Sequence, residues 1–402
     1  MTERPRTFRP RVVLLFASCL VVTLLLGGSL ALGVGSEQST HRQVILFAEV
    51  LSLILDNYVD QPDPDALLMG AYEGMLSGLD PNGAFLTPAE AAAWKKGGQG
   101  KQVGPGVSVL KGAGYLHVVS VAAGSAAANA GIQPGDQIRR IDDASLRDLS
   151  LAQAKRRLEG EPGSSVKLLL LRPKEGFKRM EVTVARGARK DTPWALTVDA
   201  HRSVAILTPA DLARMPDKAL LSELDAVRAR GIERLLLDLR DLPDASIKDG
   251  ARVASLFASG DQLLLKDKAG KVLDKVSSAP AGRGGTAWPG SVGVLVNGAT
   301  AAGAEALTAL LRAQKHATVY GEATQGLGAE PKLVELQDGS ALLLSASVWE
   351  TTSGLRWNED GLTPDTVVAV TGGEQDDLAA QLGKTLDLFV KATEPAEARK
   401  AA

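Results

Sequence analysis

The stretch "VNGATAAGAEALTALL", Val296–Leu311, has the outline of a catalytic turn with its chemistry missing. An apolar run, "VGVLV", leads into Asn297-Gly298, and an alanine-rich helix follows. Strand, tight glycine turn and helix N-terminus is where many hydrolases place a nucleophile, because N–H groups at the helix end can hold an oxyanion. Here the turn offers Thr300, Ala301, Ala302, Gly303 and Ala304, and only the threonine carries a hydroxyl.

Around that turn, 402 residues are enough for two or three domains. Lys plus Arg is 45 against 47 for Asp plus Glu, a net charge of −2, so no basic excess points to nucleic acid. Aromatic content of 4% gives little stacking surface for single strands or sugars. The four histidines, His41, His117, His201 and His316, lack metal-ligand spacing, and the single cysteine, Cys19, cannot form an internal disulfide. No cofactor or metal is expected.

The start of the chain, "MTERPRTFRPR", carries four arginines and precedes an uncharged run from Val12 to Val34. That run is long enough to cross a bilayer as a helix, and the arginines ahead of it predict a cytoplasmic N-terminus with the remainder exported. The expectation is a single-pass anchor in the cytoplasmic membrane with the bulk of the chain periplasmic or extracellular. The alternative is a signal segment cleaved after "SLA", Ser29–Ala31, and a secreted product.

From Gln43 to about Leu79 the sequence reads as two amphipathic helices broken at "DQPDPD", with Val44, Phe47, Val50, Leu51 and Ile54 at helical spacing. Residues from about Gly104 to Arg172 alternate short strands with two small helices. Their "AGIQPGDQI", Ala130–Ile138, resembles the signature of a PDZ domain. That resemblance implies peptide binding by strand addition, with the ligand carboxylate in the loop Gly104, Pro105, Gly106 and Val107, and Leu151 and Ala154 lining the side-chain pocket. Pro105 lacks an N–H, so one donor of such a loop is missing. Further on, "RLLLDLR" after an amphipathic helix suggests a buried strand with crossover helices, and Asp338-Gly339 between two apolar runs predicts a type I′ hairpin turn.

With these pieces in place, the chain from about Gln43 to Val370 resembles the carboxyl-terminal processing peptidases, also called tail-specific proteases. "LDPNG" is similar to their "LDPHS", "LLLDLRDLP" to "LILDLRxNPGG", and "VLVNGATAAGAEALTALL" to "VLVNxxSASASEIxAGAL". "GEATQGLG" is similar to "GExTFGKG", and "TTSGLRWNEDGLTPD" to "TPSGRSIxxxGIxPD". The resemblance implies a serine–lysine dyad, in which a desolvated, neutral lysine activates the serine. It places the nucleophile at Ala302 and the base at Leu327, 25 residues on, so both halves of the dyad are absent. The glycine pair that would supply an oxyanion donor falls at Asp244 and Ala245, and a family glutamine falls at Pro331. A relocated dyad would draw on Thr300 and Lys332, with Ser345, Ser347 and Lys315 as further candidates. Thr300 also suits a helix N-cap, and Glu305 and Asp238 suit structural roles.

The expected fold class is therefore α+β and multidomain. It comprises a cytoplasmic stub and membrane helix (1–36), a helical region (37–95), a PDZ domain (96–185), a peptidase-like core of mixed sheet with crossover helices (186–370) and a C-terminal helix and tail (371–402). The expected function is that of an exported pseudopeptidase. Its partners would be protein or peptide C-termini and an active protease or other envelope protein, with the membrane engaged through residues 12–34 and no nucleic acid. Two alternatives stay open: an active serine-type endopeptidase with a relocated dyad, and a purely structural interaction protein.

Overall fold

The computed structural model describes residues 41–394, apart from 78, 80–82, 97–102, 113, 123, 188–192, 216–217, 258–259, 278–287, 315–316, 359 and 370–374. The chain divides into two compact units, Met1–Met69 and Gly70–Ala402.

In the first unit a helix spans 41–57. Pro64 opens the next helix, Pro64–Ser77, where its missing N–H costs nothing, and the Asp63 carboxylate accepts from the N–H of Asp65 at 3.0 Å. The two-helix reading on either side of "DQPDPD" matches this. The membrane helix included in the expected fold class has to be withdrawn. No helix among the described residues is long and apolar enough to cross a membrane, and residues 12–34 lie outside them.

In the second unit, the strands Val107–Gly112, Tyr115–Val121, Gln137–Ile141, Ser165–Arg172 and Lys178–Ala185 lie side by side in that order, all antiparallel. Alternation along Ser165–Arg172 turns Val166, Leu168 and Leu170 inward, onto Leu151, Ala154 and Leu158 of the helix Leu151–Leu158. Ser150 caps that helix in a box with Gln153. The "GDQI" signature has a physical cause: Asp136, 1% exposed, binds Arg172 with both oxygens (2.8 and 2.9 Å) and accepts from the N–H of Gln133. Arg172 also donates to the Gly131 carbonyl at 2.7 Å, which ties the turn to the far strand.

The core sheet runs Thr366–Val367, Ala317–Gly321, Ser291–Val296, Arg234–Asp238, Val204–Pro209, Trp194–Asp199. Every neighbouring pair is parallel except the last. Parallel strands buried on both faces explain continuous apolar runs such as "RLLLD" and "VGVLV". The helices Lys218–Ala229, Ile247–Ala254 and Gly303–Ala313 cover one face, while Leu386 and Phe389 of Gln375–Thr393 pack on Ile206, Leu236 and Leu295 on the other. The architecture is thus mixed α/β rather than α+β. A third, antiparallel sheet joins distant parts of the chain: Ala84–Leu86 pairs with Ala341–Leu343 of the long strand Ala341–Thr351. The hairpin leading into that strand differs from expectation, since Gly339 alone of the Asp338-Gly339 pair takes a positive φ (85°). The Asp338 carboxylate accepts from the N–H of Ser340, which favours a three-residue loop over type I′.

Candidate functional site

The turn after Ser291–Val296 is built from backbone hydrogen bonds, and Thr300 is its fastener. Its hydroxyl donates to the Leu239 carbonyl at 2.9 Å and accepts from the N–H of Asn297 at 3.0 Å, and the residue is fully buried. It is not the N-cap. The helix begins after Ala302, so the hydroxyl serves the turn two residues earlier. Lys332 lies exposed on the strand Ala329–Glu335, paired with Leu344. No hydrogen bond joins it to Thr300 among the described residues. Ser345 and Ser347 lie on Ala341–Thr351, and Lys315 lies outside the described residues.

Ala302 adopts φ 46° and ψ −107°, a conformation L-residues avoid. It is the bend of a nucleophile elbow, held here by an alanine. The surroundings impose it. Ala301 N–H donates to Leu242 O, Gly303 N–H to Ala245 O at 2.9 Å, and Ala302 N–H to Glu305 Oε2 at 2.8 Å. Gly303 is required because a Cβ there would sit 2.2 Å from the Ser246 carbonyl oxygen.

Glu305, fully buried in the first turn of Gly303–Ala313, organises the rest. Its carboxylate accepts from Thr324 Oγ1, Gly326 N–H (2.7 Å), Leu327 N–H (2.9 Å) and Ala302 N–H. Ala302 and Leu327 thus reach the same oxygen, Oε2, and the two positions that the resemblance assigns to nucleophile and base stand together. Burial pushes the Glu305 pKa up to about 7, against the pull of its four donors. Asp238, at the end of its strand, is held by both arms of Arg240, which also donates to Leu378 O and Gln381 Oε1.

The two positions that the resemblance assigns to nucleophile and base carry no reactive group. A methyl stands where the hydroxyl would be and an isobutyl group where the amine would be, so neither of these two side chains can attack or take a proton. The N–H that follows the nucleophile position, that of Gly303, is already accepted by the Ala245 carbonyl, so an incoming oxyanion would have to displace it. Asp244 is exposed. Its Oδ1 pairs with Lys155 Nζ of the Leu151–Leu158 helix at 2.8 Å, and its charge holds the nearby, half-buried Glu159 above its ordinary value, behind burial itself. With the two side chains 29% and 41% exposed, that ion pair contributes less than about 1 kcal/mol. It links two elements 89 residues apart, and nothing in the sequence pattern signals it.

At the loop that the resemblance assigns to a ligand carboxylate, the carbonyls of Gly104, Pro105 and Gly106 accept from Gly187, Ala127 and Ala122. The loop is fixed from its carbonyl side. Gly106 (φ 90°) must be glycine, because a Cβ would meet the Ser125 side chain at 2.3 Å. Val107 begins the edge strand of its sheet, the position strand addition needs. Lys111, on that strand, donates to Leu149 O just before the helix. Leu151 and Ala154 face inward, 3% and 0% exposed, and belong to the domain core. No group of metal-binding side chains occurs among the described residues.

The fold and site together define a two-part molecule: a PDZ domain joined to a serine-peptidase scaffold of the processing type. Residues 204–368 match Peptidase family S41, and 117–172 match a PDZ domain. The chain is 26% identical over 363 residues to "Probable CtpA-like serine protease" of Staphylococcus haemolyticus, covering 89% of this chain and 72% of that protein. It is 26% identical over 342 residues to "Carboxy-terminal processing protease CtpA" of Bacillus subtilis, covering 84% and 72%. Among solved structures, the photosystem II D1 C-terminal processing protease superposes with a TM-score of 0.54 at 23% identity, covering 84% of this chain and 96% of that one, a likeness of fold. Over these two stretches the chain is similar to the PDZ-bearing carboxyl-terminal processing peptidases.

Proposed function

We propose that this chain has no peptidase activity and binds protein C-termini or extended segments through its PDZ domain, scaffolding a partner such as an active protease. The observation that carries this reading is the elbow itself. Ala302 and Leu327 meet at Glu305 Oε2 while Gly303 N–H is taken by Ala245. A relocated dyad finds little support, since both hydrogen-bonding capacities of the Thr300 hydroxyl are used in a buried turn. The arginines before Val12 favour a place on the export side of the cytoplasmic membrane.

The test is incubation of the purified protein with unfolded polypeptides that differ only in their C-termini, scoring cleavage and retention together. Retention that depends on the terminal carboxylate, is lost when the Gly104–Val107 loop is altered, and occurs without cleavage supports the proposal. Cleavage abolished by Thr300→Ala or Lys332→Ala overturns it in favour of the relocated dyad. Neither cleavage nor retention leaves the purely structural reading.

A further inference from the structure

A cleft of about 680 Å³ opens outside the carboxyl ends of the strands Val204–Pro209 and Arg234–Asp238, where the end of Tyr115–Val121 meets the core. That volume suits a small molecule, and ligands of open α/β sheets sit outside the carboxyl ends of the strands. None of Ala302, Gly303, Glu305 and Leu327 lines it. Its walls are largely apolar, with Val121, Trp194, Pro209 and Leu378 among them. Its charges do not cancel. Arg240 is committed to both oxygens of Asp238, to Leu378 O and to Gln381 Oε1, which leaves Asp241 over. Asp241 stands at φ 57°, a conformation that side chains seldom adopt. Asn297 clamps it there, donating to Oδ1 at 2.8 Å and accepting from its N–H at 3.2 Å. Its other oxygen, Oδ2, has no hydrogen-bond or ion-pair partner among the described residues. Burial pushes the Asp241 carboxyl above its ordinary value, against the pull of Asn297 and Arg240.

We propose that this cleft binds a small organic ammonium ion, its charge against Asp241 and its hydrocarbon body against Val121, Trp194 and Leu378. Charge selects the sign. Among the described residues lining the cleft the only cation is Arg240, already committed, so an anion meets the Asp241 carboxylate uncompensated whereas a cation finds a partner. The walls select the kind of cation. A hydrated inorganic ion needs several oxygen ligands, which one open carboxylate oxygen does not supply. An ammonium on an apolar group is served by that oxygen together with a hydroxyl, and it gains further by burying its hydrocarbon. Ser120 and Thr208 also line the cleft and carry such hydroxyls.

Titration calorimetry of the full chain with phenethylammonium tests this, with phenethyl alcohol and phenylacetate as neutral and anionic probes of nearly the same shape. The ammonium should bind with a Kd on the order of 1 mM, about tenfold or more tighter than either other probe. Asp241→Asn keeps the Oδ1 acceptor for Asn297 and tolerates the positive φ, so it should unfold at the parent's midpoint. Its affinity for the ammonium should nonetheless fall about tenfold or more. Leu378→Trp, which fills the apolar wall, should weaken the ammonium as well. Equal affinity of the parent and Asp241→Asn for the ammonium would overturn the proposal. Equal binding of the alcohol and the ammonium would show an apolar cleft with no choice of charge, and would overturn it too. Absence of saturable binding by the parent well above that concentration would do the same.

Discussion

Ala302 keeps a backbone bend whose usual reward, an attacking hydroxyl, is missing. A side chain held at φ 46° costs about 1–3 kcal/mol, and glycine gives back only about 0.5–1 kcal/mol through the entropy of the unfolded chain. Strain relief is the larger effect, so Ala302→Gly should stabilise the protein by about 1 kcal/mol, seen as a higher denaturant midpoint at unchanged slope. A lower midpoint would show that the bend is not strained. Glu305 makes a second prediction at this scale. Its pKa rises from 4.5 to about 7 on folding, so the folded state binds the extra proton. Its contribution is most favourable below pH 4.5 and is lost as pH rises to about 7, by roughly 3 kcal/mol. Glu305→Gln does not titrate. Its unfolding free energy relative to the parent should therefore improve across pH 4.5–7, and a constant difference over that window would refute the shift.

Between elements, the tightest joint is the crossing of Ile247–Ala254 and Gly303–Ala313. A Cβ on Gly250 would lie 1.9 Å from the Gly303 carbonyl oxygen, which is backbone and cannot step aside. Gly250→Ala gains helix propensity worth under about 1 kcal/mol, yet it forces two packed helices apart, an overpacking cost of about 1–3 kcal/mol or more. Net destabilisation of at least about 1 kcal/mol is expected in equilibrium unfolding, and a neutral result would mean that the joint is slack. This crossing also marks where sequence reading stops. The strand, the turn and the alanine-rich helix were legible because each has a local pattern. The need for glycine at 250 was not, because it arises from a partner 53 positions away. The pairing of Ala84–Leu86 with Ala341–Leu343 was hidden for the same reason. The spacing of Thr300 suits a cap, whereas the hydroxyl serves a carbonyl 61 residues earlier. The PDZ signature was legible because glycine, aspartate and isoleucine each answer a local demand, though the Arg172 that completes it lies 36 residues on.

In the molecule as a whole, the proposed absence of peptidase activity rests on two features, the side chains at 302 and 327 and the backbone hydrogen bond from Gly303 N–H to the Ala245 carbonyl. Ala302→Ser alone should yield no cleavage, because a hydroxyl with no base beside it is barely ionised. Ala302→Ser with Leu327→Lys should be nearly as silent, even though Glu305 brings the two positions to one oxygen. The reason is the Ala245 carbonyl on Gly303 N–H, since an oxyanion donor that is occupied is as good as absent. Loss of one donor typically costs about 10²–10³ in rate. Changing Asp244 and Ala245 to glycine in that double variant frees the loop to turn its peptide over, and it also removes the tie to Lys155. The fourfold variant should therefore cleave an unfolded substrate about 10²–10³ times faster than the double variant, measured as initial rates under identical conditions. Equal rates in the two would mean that the loop is not what silences the centre. The fault would then lie in how the scaffold receives substrate. A double variant already as fast as the fourfold one would show that the Ala245 carbonyl yields freely to an oxyanion, and that side-chain loss alone accounts for the silence.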